Sequence, residues 1–246
     1  MDIILVLAKE LGLREEQVRK TVELIDEGNT IPFIARYRKE VTGSLDDEVL
    51  RNLNDKLTYL RNIEKRKAEV KDLIAAQEKL TPEIEAAIEN AGTITEIDDI
   101  YRPFRPHRKT RASVAREKGL EPLAALISEQ RASYSPSVEE CAAEYINEEK
   151  GVASAEEALA GAMDIIAEGI SDNADYRKAI RELTWKNGML VSKAATDEDT
   201  VYSQYYDYSE ALKSMPAHRV LAVNRGEKED KLKVSVEVAE DLILNY

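Results

Sequence analysis

The apolar positions repeat at helical spacing from the start of the chain. Ile3, Ile4, Leu7 and Leu11 fall on one face of a helix beginning at Asp2, and Gly12 stands where such a helix would end. A second helix is predicted over residues 15–27, with Val18, Val22, Leu24 and Ile25 on one side, charges on the other, and Gly28-Asn29 as its stop. Pro32 suits a first helical position, so a third short helix carries Phe33, Ile34 and Tyr37 together with Arg36, Arg38 and Lys39 before Gly43 breaks the pattern. Three helices joined by short turns make a helix-turn-helix-like unit, an arrangement that DNA-binding and unrelated proteins share.

Ser44 reads as an N-cap, with Asp46 and Asp47 in the first turn, and no Gly or Pro intervenes before Lys79. One helix of roughly 50 Å is predicted at about 1.5 Å per residue. Leu50, Leu53, Leu57, Leu60 and Ile63 form its narrow apolar stripe, which weakens around Lys65 to Lys67. So narrow a seam suits a spine lying along other helices better than a free-standing coiled coil. Thr81-Pro82-Glu83 opens a further helix that Gly92 closes, and residues 95–101 form a helical turn. Pro103 and Pro106 exclude regular helix from Arg102 to Arg111 and predict an extended linker. Helical patterns return at residues 112–118, 122–129, 137–147, 154–170 and 174–185.

Beyond Gly188 the period changes. Residues 189–194 are strand-like, residues 231–238 alternate polar and apolar, and a helix from Pro216 to Arg225 ended by Gly226 lies between them. The apolar run 242–244 predicts the start of a further element. The fold class expected is mainly α: a multi-helix array with the N-terminal unit, one long spine helix and a short β element near the C-terminus. The predicted organisation is residues 1–45 for the three-helix unit, 46–188 for the spine and helical region, and 189–246 for a small α/β segment leading into a downstream domain.

Composition narrows the chemistry. The 246 residues carry 35 Lys+Arg against 48 Asp+Glu, a net charge of −13, and the 43% hydrophobic content is enough to form a core. The single cysteine, Cys141, excludes an intrachain disulfide and a cysteine-based zinc site, and fits a reducing cytoplasm. His107 and His218 lie far apart, so no metal or other cofactor is expected. The first thirteen residues are too charged and too short for a signal peptide or a bilayer span, and no membrane association is expected. Carboxylates such as Asp98-Asp99 and Asp46-Asp47-Glu48 are most simply helix-start residues. With no phosphate-cradling loop or nucleophile elbow in the chain, no catalytic residue is expected.

Against this acidic background the cations from Arg102 to Lys118 stand out. Arg102, Arg105, Arg108, Lys109 and Arg111 could track phosphates in the extended linker, with Tyr101 and Phe104 stacking on unpaired bases, or could neutralise acidic helices of the same fold. Arg36, Arg38 and Lys39 form a second basic group, on what would be the recognition helix, although Glu40, Asp46, Asp47 and Glu48 follow closely and would repel a duplex. Tyr202, Tyr205, Tyr206 and Tyr208, set among acids, are expected to pack against another domain or a protein partner.

The stretch Ile31-Pro32-Phe33-Ile34-Ala35-Arg36-Tyr37-Arg38-Lys39-Glu40-Val41-Thr42-Gly43-Ser44-Leu45-Asp46-Asp47 resembles the N-terminal signature of the bacterial Tex family of transcription accessory proteins. Tyr101 through Arg111, leading into Ala115-Arg116-Glu117 and Gly119-Leu120-Glu121-Pro122-Leu123, agrees, as do Asp207-Tyr208-Ser209-Glu210 and Pro216-Ala217-His218-Arg219. The resemblance implies a modular protein in which this helical region precedes an RNase-H-like domain, helix-hairpin-helix units and an RNA-binding OB-fold, none of which is evident in this chain. It further implies a scaffold, not an enzyme, with nucleic acid of low sequence specificity, the transcription machinery and the downstream domains as partners. A protein-docking scaffold with no nucleic-acid contact of its own is the alternative.

Overall fold

A computed structural model of the chain describes residues 2–106, 109–130 and 137–245. The architecture is mainly helical with one small sheet, in two compact units, residues 1–107 and 108–246.

The first unit contains α1 (Ile3–Leu11), α2 (Glu15–Asp26), α3 (Ile31–Tyr37), α4 (Lys39–Thr42), α5 (Asp47–Ala75), α6 (Pro82–Asn90) and α7 (Ile94–Tyr101), closed by a 3-10 turn over Arg102–Phe104. Local chemistry sets the boundaries. The Asp2 side chain accepts a hydrogen bond from the Leu5 amide, and α1 ends at Gly12 in the left-handed conformation that glycine adopts without cost. Thr81 and Thr93 cap α6 and α7 in the same way. The cap of α5 differs from expectation. Asp46, not Ser44, accepts from the Val49 amide at 2.8 Å. Ser44 is held at a φ of 65° while Leu45 turns into the core, so the helix starts two residues later.

Helix α5 has 29 residues and runs roughly 44 Å. Its stripe is buried along the whole length by α1, α3, α6 and α7. Leu53, Leu57, Ile63, Val70 and Ile74 of α5 share one core with Leu7, Val18, Val22, Ile88 and Ile97. The apparent weakening of the stripe at Lys67 is a sequence-level illusion. Lys67 occupies the inward position, 2% exposed, with its aliphatic stem in the core, its Nζ donating to the Glu89 carbonyl at 2.7 Å and pairing with Glu64 at 3.3 Å. A smaller core of Leu24, Ile34, Leu45 and Leu50 joins α2 and α3 to the start of α5. Because this core is shared, the three N-terminal helices and the spine form one body, and the division expected after residue 45 falls inside it.

The second unit contains α8 (Arg111–Glu117), α9 (Glu121–Ser128), α10 (Val138–Ala143), α11 (Ala155–Asp172), α12 (Ala174–Asn187), β1 (Met189–Ala194), β2 (Asp207–Ala211), α13 (Ala217–Lys228), β3 (Leu232–Glu237) and α14 (Glu240–Leu244). Helix α11 is the hub of its helical core. Ala158, Ala162 and Ile165 face Ala112 and Ala115 of α8 and Leu120 and Leu123 at α9. Gly161 permits this approach, since a Cβ there would lie 2.4 Å from Leu120 Cδ1. Helix α10 stops short of its expected end. Asn147 and Val152 instead pair across a 3-10 turn that Gly151 closes with a φ of 72°.

The sheet has the order β2-β1-β3, antiparallel throughout, with Val191 opposite Ser209 on one side and Ser235 on the other. The two strands expected from the pattern do pair, but the third, β2, lies within the tyrosine segment, where alternation is absent from the sequence. The tyrosines are also not a docking patch. Tyr202 and Tyr205 are buried with Leu190, Val223 and Leu232, and Tyr206 and Tyr208 pack against the same core. Gly226 does not end α13. It lies inside the helix, where a Cβ would meet Leu232 Cδ1 at 2.5 Å.

Candidate nucleic-acid interface

The basic group near the N-terminus is presented by a helix anchored from behind. Ile34 is fully buried against Leu24, Leu45 and Leu50, which turns the opposite side of α3 to solvent. Helical spacing then places Phe33, Arg36 and Tyr37 together on that side. The Phe33 and Tyr37 rings lie 5.2 Å apart at 43°, and the Arg38 guanidinium sits 5.3 Å from the Phe33 centroid. Tyr37 is 67% exposed. Arg36, Arg38 and Lys39 are all exposed, and among the described residues none has a carboxylate within ion-pair distance. They do not share one helix, contrary to expectation. The backbone departs from helical geometry at Arg38, so only Arg36 belongs to α3 and Lys39 opens α4.

The second basic group is neither extended nor unpartnered. Pro103 fits the 3-10 turn Arg102–Phe104, and Arg111 is the first residue of α8, so the linker expected across ten residues is interrupted at both ends. Arg105 lies 3.4 Å from Asp98, which Arg66 also engages at 2.7 Å. The two guanidinium groups stand over the Tyr101 ring at 5.5 and 5.8 Å, and Tyr101 is buried. Tyr101 is therefore not available for a base, and Phe104 packs against the α5 core. Arg102 is half-buried and has its own interaction. Lys109 faces Glu117 at 3.7 Å, and Arg111 faces Asp164 at 3.5 Å. Arg108 lies outside the described residues.

These pairs are weak. Arg111 is 88% exposed, and solvent-exposed pairs contribute about 0–1 kcal/mol, so a phosphate can compete for the same cations. Arg102 and Arg105 belong to the first unit, and Lys109 and Arg111 to the second. Farther along, Arg116 pairs with Glu168, and Lys118 donates to the Gly151 carbonyl at 2.6 Å. Both of these ties hold α8 to its neighbours.

The motif halves 207–210 and 216–219 meet in space. Arg219 of α13 donates to Glu210 of β2 at 2.9 Å, and the Tyr208 hydroxyl donates to the same carboxylate. The Tyr208 and Arg219 hydrogen bonds hold the Glu210 carboxyl below its ordinary range, while burial pushes the Tyr208 hydroxyl up. The group ties the sheet to α13. Among the described residues no three of His, Cys, Asp and Glu gather as a metal site, and no helix is long and apolar enough to cross a membrane.

Residues 1–75 match the Tex-like protein N-terminal domain, and residues 134–243 match the Tex central region. The chain belongs to the Tex family. Protein tex of Bordetella pertussis is 44% identical over 243 residues, covering 98% of this chain and 30% of its own length. Transcriptional accessory protein Tex of Neisseria gonorrhoeae is 39% identical over 245 residues, covering 98% and 32%. Human S1 RNA-binding domain-containing protein 1 is 28% identical over 250 residues, covering 97% and 24%. The chain thus spans about a third of the length of the bacterial relatives it matches. Within this Tex-family chain, Arg36, Arg38 and Lys39 fall inside the first matched stretch, and Arg102 to Arg111 fall between the two.

Proposed function

We propose that this Tex-family chain is a non-enzymatic, cytoplasmic scaffold in transcription that contributes nucleic-acid contacts of low sequence specificity. The observation carrying this reading is the solvent-directed trio Arg36, Arg38 and Lys39, without a carboxylate partner among the described residues, on a chain whose net charge is −13. A solvated cation without a carboxylate partner is free to displace counterions from a phosphate backbone. Arg105, Lys109 and Arg111 serve as secondary contacts, since each would exchange a partly exposed carboxylate partner for a phosphate, and Arg102 adjoins them in sequence. The names of the Neisseria relative, a transcriptional accessory protein, and of the human one, with its S1 RNA-binding domain, support the same direction. The docking-scaffold alternative would use the long helix and the tyrosine segment, but the apolar face of α5 and the tyrosines are taken up by the cores of their own units.

The test is fluorescence anisotropy of the 246-residue chain with labelled single-stranded RNA and duplex DNA at low and physiological salt. Two variants run beside it, Arg36→Ala with Lys39→Ala, and Arg102, Arg105, Arg108, Lys109 and Arg111 all changed to alanine. Engagement of three to five phosphates on a single strand gives a log–log salt slope of about −2 to −3.5, and the first variant, which removes two cations, flattens it by about 1.4. A wild-type chain inert toward every probe at low salt refutes the proposal and leaves protein docking as the function.

A further inference from the structure

We infer that Tyr37 is a stacking platform for an unpaired base, so that the α3–α4 surface takes single-stranded nucleic acid in preference to duplex; this deepens the function proposed above and rests on it. A strand offers two chemistries, anionic phosphates and aromatic base faces, and the surface answers both within a few residues. Tyr37 is 67% exposed, although an aromatic ring of its size ordinarily finds cover, and it is not left loose. Phe33 supports it one turn earlier at 5.2 Å, and Phe33 is in turn covered by Arg38 at 5.3 Å. The result is a braced ring with an open face, flanked by the cations Arg36 and Lys39, which have no carboxylate partner among the described residues, with Glu40 the acid adjoining them in sequence. Charge complementarity selects an anionic partner. The braced ring selects among anionic partners, because a base in a duplex has its faces covered by its neighbours, whereas a base in a single strand can leave the stack and lie on tyrosine.

The ring is held by backbone that the core fixes. Ile34, between Phe33 and Tyr37, is fully buried, so the platform's orientation is set by the packing of α3 on α5 and not by the ring itself. Removing the ring at so exposed a position leaves that packing intact, which makes the substitution a clean probe.

The experiment compares the 246-residue chain with Tyr37→Ala, Tyr37→Phe and the double variant Arg36→Ala/Lys39→Ala. Each is titrated at low salt with labelled oligo-U, oligo-dT, an abasic strand of equal length and a duplex, after circular dichroism has established an unchanged fold. Wild type and Tyr37→Phe are expected to bind oligo-U or oligo-dT more tightly than the abasic strand and the duplex. Tyr37→Ala is expected to lose affinity for the base-bearing strands by roughly 5- to 100-fold, with its salt slope unchanged and its abasic binding unaffected. The charge variant is expected to weaken all probes and flatten the slope. Equal binding of abasic and base-bearing strands by wild type, equal or tighter binding of the duplex, or a Tyr37→Ala variant that binds as wild type, overturns the stacking inference while leaving nucleic-acid binding standing. A wild-type chain that binds none of the probes overturns both.

Discussion

Two glycines of α11 provide a test of the second unit's packing in which one substitution is expected to act with opposite signs. At Gly161 an added Cβ would stand 2.4 Å from Leu120 Cδ1 and 3.3 Å from Ala115 Cβ, where ordinary carbon contacts are about 3.5–4.0 Å. Leu120 is 1% exposed, and the Cβ of Ala115 is fixed to the backbone of α8. Overpacking of this kind costs about 1–3 kcal/mol, and enclosure places it toward the upper end. Replacing glycine by alanine within a helix returns about 1 kcal/mol. The balance for Gly161→Ala is a net loss of about 1–2 kcal/mol. At Gly169 no atom lies within 4 Å of the built Cβ and the backbone is not left-handed, so only the favourable contribution remains. Being near the last turn, Gly169→Ala should gain a few tenths to about 1 kcal/mol. The assay is urea unfolding followed by circular dichroism and by the fluorescence of Trp185, the single tryptophan, which lies in the same unit. If Gly161→Ala raises the midpoint as Gly169→Ala does, the close approach of α8 and α11 is refuted.

Two further outcomes bear on the ionisable groups. Lys67→Ala removes a buried side chain whose stem fills the core and whose ammonium meets Glu64 and the Glu89 carbonyl, and should destabilise the first unit by about 2–5 kcal/mol, whereas Lys67→Met, which keeps the aliphatic volume, should lose clearly less; a thermal melt in which Lys67→Ala matches wild type would contradict the burial. The Glu210 carboxyl is lowered by Tyr208 and Arg219, so its stabilising effect is complete above the ordinary glutamate value of about 4.3 and is lost as pH falls through the lowered value. Melting temperature measured from about pH 7 to about pH 3 should therefore fall less steeply in Glu210→Gln than in wild type, and identical acid limbs would show that the contact with Arg219 does not form.

What could be read from the chain follows the range of the interactions. Gly12 as the end of α1, Thr81-Pro82 as the start of α6 and the Leu50 to Ile63 stripe of α5 depend on neighbours within one or two turns, and the pattern states them. Lys67 shows the limit. A lysine in the stripe reads as an interruption, yet the Glu89 carbonyl that makes its burial tolerable comes from another helix. The same holds at the candidate interface. The sequence puts the Arg102 to Arg111 stretch ahead of Arg36, Arg38 and Lys39, because a count of charges does not reveal which have partners. Asp98, Glu117 and Asp164 reach the second group through folding, while the first is left to solvent by the burial of Ile34. The ring of Tyr37 was visible as the i+4 neighbour of Phe33, but its openness was not.

By itself, then, the sequence determined the helical class, most helix boundaries, two of the three strands and the family signature, since hydrophobic period, caps and turn residues act locally. Tertiary structure decided the third strand, the inward turn of the tyrosines, the helical role of Gly226 and the choice among basic residues. Each of these depends on an atom distant in sequence: Ser192 drawing Tyr208 into register, Tyr202 packing close on Gly226, Asp164 meeting Arg111. Burial and pairing are properties of the space between elements, and that space exists only once they have packed.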